Sequence, residues 1–274
     1  MSAAPPASGT SGRAAASAAS LRPISMKRRP AWLLTPLGLI LAVATVSAAD
    51  LSLLSAGAVE AGLARVMDAF RGDSGHTVTV QYGTGPQLTE RLAAGATSDV
   101  LIAPANVMDQ AAAAGQVVTA TRVLVGRVGI GVMTRPNAAP DISSTDALRR
   151  ALLAADRVVY TRGSSGQYID TLLAKLGLQD ALKGRLVQLA NGEAAMDAVA
   201  AGSATSIGFG AITEIRAAGP KIRLVGPLPA EVQNLTSYDG AVRTGAREPA
   251  VAASFLRFAA TPAARQLFLG AGVQ

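Results

Sequence analysis

The sequence contains no cysteine and a single histidine, His76. No disulfide can staple the chain, and too few thiol or imidazole ligands exist for a transition-metal site. No GxSxG element, Walker-type phosphate loop or dinucleotide fingerprint is present, which argues against serine hydrolases, P-loop enzymes and nicotinamide enzymes. Neither a metal nor a cofactor is expected. Aromatic residues make up only 4% of the chain, and no basic block follows residue 30, so a nucleic-acid partner is not expected either. His76 lies between the turn "DSG" and a β-branched run and reads as a strand-start residue rather than a catalytic one.

Acids are missing from residues 1–49, which hold Arg13, Arg22, Lys27, Arg28 and Arg29. These account for most of the formal charge of +7; the remainder carries 20 basic against 18 acidic residues. The basic stretch Met26–Pro30, the apolar run Ala31–Val46 and the small residues of "VSAAD" have the layout of a secretory signal, with cleavage after Ala48 or Ala49. A membrane anchor is the other reading. The 16-residue run is short for a span and holds Pro36 and Gly38, which favours cleavage. Residues before it are rich in Ala, Ser and Pro and read as a disordered extension, with Met26 as a second possible start. No cysteine stands at the cleavage site to carry a lipid, so a free, monomeric protein in a periplasm is expected.

From Asp50 onward, strand-like and helix-like segments alternate. "LSLLSA", "HTVTVQY", "DVLIAP", "GRVGIGVMT", "VVYT", "RLVQLA", "TSIGFG", "KIRLVGPLP" and "LTSYDGAVRT" read as strands. Helix-like segments separate most of them; "PQLTERLAAG" starts with proline, "STDALRRALL" is capped by Ser144 or Thr145, and the two closing helices have proline in their first turns. The pattern implies α/β architecture with mixed, mostly parallel sheets flanked by helices. Glycine-marked crossings near Gly126–Gly131 and Gly226–Asn234 would enclose an inserted block. The expected organisation is residues 1–49 as extension plus signal, residues 50–126 with 234–274 as one lobe, and residues 127–233 as a second, inserted lobe. A ligand cleft is expected between them.

Within "VVYTRGSSGQYIDTLLAKLG", a short strand passes through a small hydroxyl-rich loop into a helix starting near Ser165 or Gly166. Unpaired N–H groups and the helix dipole make that loop a site for a carboxylate, phosphate or similar oxyanion. Ser164 and Ser165 would add donors, and Gly163 and Gly166 would allow close approach. A plain serine N-cap is the competing reading. The same choice applies to Ser55–Ala58 and to Thr84–Gly85, where Thr84 is equally well a cap before Pro86. Tyr168 and Tyr238 line either the cleft or the core edge. Glu60, Glu214 and Asp239 are the candidate proton acceptors, with a solvated or capping carboxylate as the alternative for each.

Five segments together resemble type II periplasmic substrate-binding proteins, and more narrowly the molybdate-binding-protein-like family of ABC importers. They are "LLSAGAVEAGLARVMDAF", "QYGTGPQLTERLAAGATSDVLIAP", "RVGIGVMTRPNAAPDISSTDALRRALL", "VVYTRGSSGQYIDTLLAKLG" and "AAGSATSIGFGAITEI". The resemblance implies two α/β lobes, a small anion in the cleft and delivery to an ABC permease. It places ligand loops at Ser55, Ala56, Gly57 and Ala58; at Gly83, Thr84 and Gly85; at Gly163, Ser164, Ser165, Gly166, Gln167 and Tyr168; and at Gly210 and Ala211. The chain departs from molybdate binders in four places. Ala58 and Gly85 stand where they have serines, Pro104 replaces a residue with an N–H, and Ala211 stands at their tyrosine. The departures favour an organic carboxylate over bare molybdate, with a molybdate-like oxyanion as the other reading of the ligand. "YTRGSSGQYIDTLL" and "LTSYDGAV" are similar to a branch that includes aconitate isomerase, which implies an enzyme as the alternative to a binding protein.

Overall fold

A computed structural model describes residues 48–274. The extension and signal segment expected over residues 1–49 lie outside the described residues, apart from Ala48 and Ala49. The described part belongs to a single compact unit, Val46–Gln274.

The chain opens with β1 (Asp50–Ala56), α1 (Glu60–Ser74), β2 (Thr77–Gly83), α2 (Gly85–Ala93), β3 (Val100–Pro104) and α3 (Ala105–Ala113). These form three βα units, β1 pairing in parallel with both β2 and β3. β2 is an edge strand whose side chains alternate between exposed and half-buried, as "TVTVQY" dictates. β3, "VLIAP", is buried throughout, as expected of a strand covered on both faces.

β4 (Val123–Thr134) then leaves this half of the molecule. Its first part pairs antiparallel with β9 (Leu235–Val242), up to Gly129 opposite Leu235. From Ile130 it pairs with β7 (Ile207–Ala211), and with β8 (Arg223–Pro227) from Gly131. Between lie α4 (Thr145–Ala154), β5 (Val158–Thr161), α5 (Ser164–Lys175), β6 (Leu186–Leu189), α6 (Gly192–Ala200) and, after β7, α7 (Ile212–Ala217). β5 pairs in parallel with β6 and β7. Two helices, α8 (Pro249–Ala259) and α9 (Pro262–Gly270), close the chain, each with proline in its first turn.

The strand order is β2-β1-β3-β9-β4-β7-β5-β6, with β8 beside β4. The sheet is mixed: parallel at both ends, with antiparallel pairings through β4 and β9 in the middle. One large core, including Leu53, Leu63, Phe70, Ile102, Phe255 and Phe268, packs around β1, β3 and the end helices. Two smaller cores pack about β5 and β7, one around Leu148, Ile169 and Phe209, the other around Val159, Val199 and Ile215. The two crossings are clasped by Gln233. Its side chain accepts from the Ile130 N–H and donates to the Ile130 carbonyl, both at 3.0 Å.

β5 meets α5 at very close range. A Cβ on Gly166 would lie 1.6 Å from the Thr161 carbonyl oxygen, so only glycine permits this strand-to-helix turn. His76 immediately precedes β2 and is buried; its Nδ1 accepts from the Ala49 N–H at 3.0 Å, and its ring stacks on Phe70.

Candidate functional site

The loops at the carboxyl ends of the parallel strands converge, as the α/β topology requires. Together they enclose a cavity of about 40 Å³. β1 leads into Ala56 and Ala58, β2 into Gly83, Thr84 and Gly85, and β3 into Pro104. From the other half, β5 and the start of α5 bring Thr161, Gly163, Ser164 and Ser165, the start of α6 brings Gly192, the end of β7 brings Ala211, and α7 brings Glu214. Tyr238 of β9 completes the lining. No Arg, Lys or His is among these residues.

The two halves touch around the cavity. Thr213 Oγ1 donates to the Ala58 carbonyl at 2.5 Å. A Cβ on Gly163 would lie 3.5 Å from Thr84 Cβ, and one on Gly85 would lie 3.7 Å from Ser164 Oγ. This is a closed arrangement, and about 40 Å³ is little more than a water molecule's share of liquid. A second cleft of about 280 Å³ adjoins it and shares Gly83, Thr84, Gly192 and Glu214. That cleft adds Gly57, Glu60, Tyr82, Gln87, Arg91, Asn191 and Glu193. Arg91 Nη1 donates to the Tyr82 carbonyl at 2.9 Å, which fixes the guanidinium beside the cleft.

The choice between cap and site resolves differently at each loop. α5 begins one residue earlier than expected, with Gly163 as N-cap and no side-chain cap. Neither Ser164 nor Ser165 caps the helix, and both are half-buried on the cavity wall. Thr84 does take part in capping: the Gln87 side chain accepts from its N–H at 2.8 Å and its hydroxyl at 3.2 Å. Ser144 and Asn191 are true side-chain caps, accepting from the N–H groups of Ala147 and Ala194.

Other expected site residues sit beside the cavity rather than on its wall. Ser55 is buried and turns its hydroxyl toward the Ala56 carbonyl, 3.3 Å away. Gly57 lines the second cleft, and Gly166 lies against Thr161 beneath the loop. Gln167 lines a neighbouring groove with Pro86 and Thr89, its side chain donating to the Arg162 carbonyl at 3.4 Å. Tyr168 donates to the Val232 carbonyl at 2.9 Å and so ties α5 to the second crossing. Gly192 was not among the expected residues. Its signal was legible, since "LANGEAA" also passes from strand through a small polar loop into a helix.

The three candidate carboxylates have separate fates. Asp239 faces away from its neighbour Tyr238, as strand alternation demands, and pairs with Arg122 at 2.5 Å. Glu60 lines the second cleft, and burial pushes its carboxyl up. Glu214 lines both cavities and caps nothing. Burial, and then the nearby Glu60 charge, push its carboxyl up to about 7. Burial and the Glu214 charge in turn push the Tyr238 phenol up. Glycine at two positions makes room for Glu214. A Cβ on Gly57 would lie 2.9 Å from Oε1, and one on Gly192 would lie 2.4 Å from Oε2.

Residues 51–274 match the family described as bacterial extracellular solute-binding protein. Over 233 residues the chain is 28% identical to an aconitate isomerase of a Pseudomonas species, covering 82% of this chain and 87% of that one. Among solved structures, the periplasmic molybdate-binding protein of Azotobacter vinelandii superposes with a TM-score of 0.68 at 19% identity, covering 82% of this chain and 98% of that one. The sulfate-binding protein of Mycobacterium tuberculosis superposes with a TM-score of 0.67 at 17% identity, covering 82% and 86%. Those structures share the two-lobed α/β fold built here on β4 and β9. The chain belongs to the bacterial extracellular solute-binding protein family.

Proposed function

We propose that the protein is the periplasmic solute-binding component of an ABC importer, and that it captures a small organic anion with more than one carboxylate. The lobes would be residues 50–126 with 234–274, and residues 127–233. The cores on either side of the Gln233 clasp support that division. Closure of the lobes on the ligand would create the state that the permease reads.

The observation that carries this reading is the paired cavity. The central space has room for one oxyanion group, between the first turns of α2, α5 and α6 and beside the hydroxyls of Ser164 and Ser165. The adjoining cleft of about 280 Å³ has room for the rest of a larger molecule, with Arg91 as a cation for a second carboxylate. A bare tetrahedral oxyanion has less to gain. Ala58, Gly85 and Ala211 offer no hydroxyl, and Pro104 offers no N–H.

Thermal unfolding against molybdate, tungstate, sulfate, phosphate, citrate and cis- and trans-aconitate tests the reading, because a ligand of the folded state raises the midpoint. Carboxylates are expected to shift it and the inorganic anions are not. Ser164→Ala with Ser165→Ala is expected to weaken carboxylate binding about tenfold or more, in line with the loss of two hydrogen bonds to a charged group. A shift with molybdate and tungstate alone would overturn the organic-anion reading.

A second reading is an isomerase acting on a tricarboxylate. Glu214 favours it: a carboxyl held near neutral beside the anion cavity is suited to accept a proton from carbon and return it. The 28% identity to aconitate isomerase points the same way. Interconversion of cis- and trans-aconitate by the purified protein tests it; tight, reversible binding without turnover would leave the binding protein alone.

A further inference from the structure

Glu214 occupies an awkward place for an anion receptor. It is the one acidic side chain on the wall of the central cavity, and no cationic side chain shares that wall. Among the described residues no hydrogen bond reaches its carboxyl oxygens, and its only charge partner is Glu60, of the same sign. The groups facing it across the two cavities are Glu60 from α1, Tyr82 from β2, Arg91 from α2, Glu193 from α6 and Tyr238 from β9. β4, β7 and β8 bring no charged side chain to either space. Arg216 of α7 itself points away, toward Gly272 near the C-terminus.

The side chain is half-buried, and its two oxygens occupy the space that a Cβ on Gly57 or Gly192 would need. A carboxylate entering the central cavity of about 40 Å³ would meet this carboxyl at close range, with no cationic side chain on the wall between them. Two carboxyl groups in such contact cannot both stay ionised; sharing a proton turns the repulsion into a hydrogen bond.

We propose that Glu214 enters the ligand complex as the neutral acid and donates a hydrogen bond to the bound anion, so that capture of each anion takes up a proton from solvent. This rests on the organic-anion reading above. The cavity is then selective for anions held with a proton, and the affinity falls as the solution becomes alkaline. The proton comes from buffer, goes to a Glu214 oxygen and returns to solvent on release. No covalent bond of the ligand is made or broken.

Calorimetric titration of the protein with trans-aconitate, in two buffers of different ionisation enthalpy at pH 8, measures the proton uptake directly. About one proton per anion is expected, with affinity weakening towards tenfold per pH unit above neutrality. Glu214→Gln keeps the shape and supplies an amide donor that needs no proton. It is expected to bind at pH 8 with no uptake and with the affinity the natural protein shows near pH 6. Binding without proton uptake, or equal uptake in the glutamine variant, overturns the proposal while leaving the organic-anion reading intact. Absence of binding by trans-aconitate and citrate at pH 6, where Glu214 is already neutral, overturns both.

Discussion

Asp99 is fully buried and Glu214 half-buried, and their surroundings have opposite effects on the two carboxyls. Asp99, just before β3, is fully buried and accepts four hydrogen bonds. They come from the N–H and hydroxyl of Ser52, each at 2.8 Å, and from the N–H groups of Arg247 at 2.8 Å and Glu248 at 3.2 Å. Burial pushes its carboxyl up, but these donors outweigh burial and hold it below the ordinary value. Asp99 thereby ties β1 to the entry of α8 and uses all its acceptor capacity inside the fold. Glu214 receives no donor and rises to about 7. Donors, rather than depth, decide which carboxylate is held ionised inside the fold and which is left without a hydrogen-bond partner.

The contrast can be broken most forcefully at Asp99. Asp99→Ala orphans three N–H groups and the Ser52 hydroxyl, and is expected to cost about 3–5 kcal/mol. In a domain of this size that lowers the Tm by on the order of 10 °C. Its pH signature is that of a depressed carboxylate. The stabilisation is present above the unfolded-state value of 3.8 and is lost as pH falls through the lower folded value. Calorimetric Tm measured down the acid limb checks this; a natural protein and variant that converge only near neutral pH would contradict it.

Glu214 carries the opposite sign and a smaller effect. Its folded value of about 7 exceeds the reference of 4.5, so the folded state binds the proton more tightly. The penalty is absent below about 4.5, grows between 4.5 and 7, and is constant above. Glu214→Gln is expected to raise stability by about 2–3 kcal/mol at pH 8 and to change little near pH 4.5. Chemical denaturation of both proteins at the two pH values measures the difference. A glutamine variant no more stable at pH 8 would mean that the carboxyl is better solvated than its setting between Gly57 and Gly192 implies.

The smallest effects separate the serines. Ser144 accepts from the Ala147 N–H, so Ser144→Ala is expected to cost about 1 kcal/mol. Ser164→Ala and Ser165→Ala remove no cap, and each is expected to stay within about 0.5 kcal/mol of the natural protein without ligand. A cost at Ser164 or Ser165 as large as at Ser144 would restore the capping role that the geometry of α5 denies them.

Much of this architecture was legible in the sequence. Alternation in "HTVTVQY" marks the edge strand β2, and the unbroken apolar run in "DVLIAP" marks the buried β3. Glycines at Gly126–Gly131 and Gly226–Asn234 bracket the stretches where β4 changes partners and the chain returns to β9. Each of these signals is local, because strand period, buried length and backbone permissiveness depend on a few adjacent residues. The small-residue loops after β1, β2 and β5, which line one cavity, were legible as loops for the same reason: strand, small residues and helix are contiguous in the chain.

The fate of each carboxylate was not legible. Nothing around "GAITEI" marks Glu214 as different from Glu60 or Asp239, since its setting comes from Gly57 and Gly192, far away in sequence. Arg122 neutralises Asp239 across 117 positions of chain, and Asp99 finds two of its donors 148 and 149 positions away. The sequence by itself determined the elements, their order and the hydroxyl-rich loop, because propensity and periodicity act over one or two turns. Only the tertiary structure decided which polar groups would be satisfied internally and which would be left facing the cleft, because a group's desolvation and its donors are set by whatever the fold brings against it.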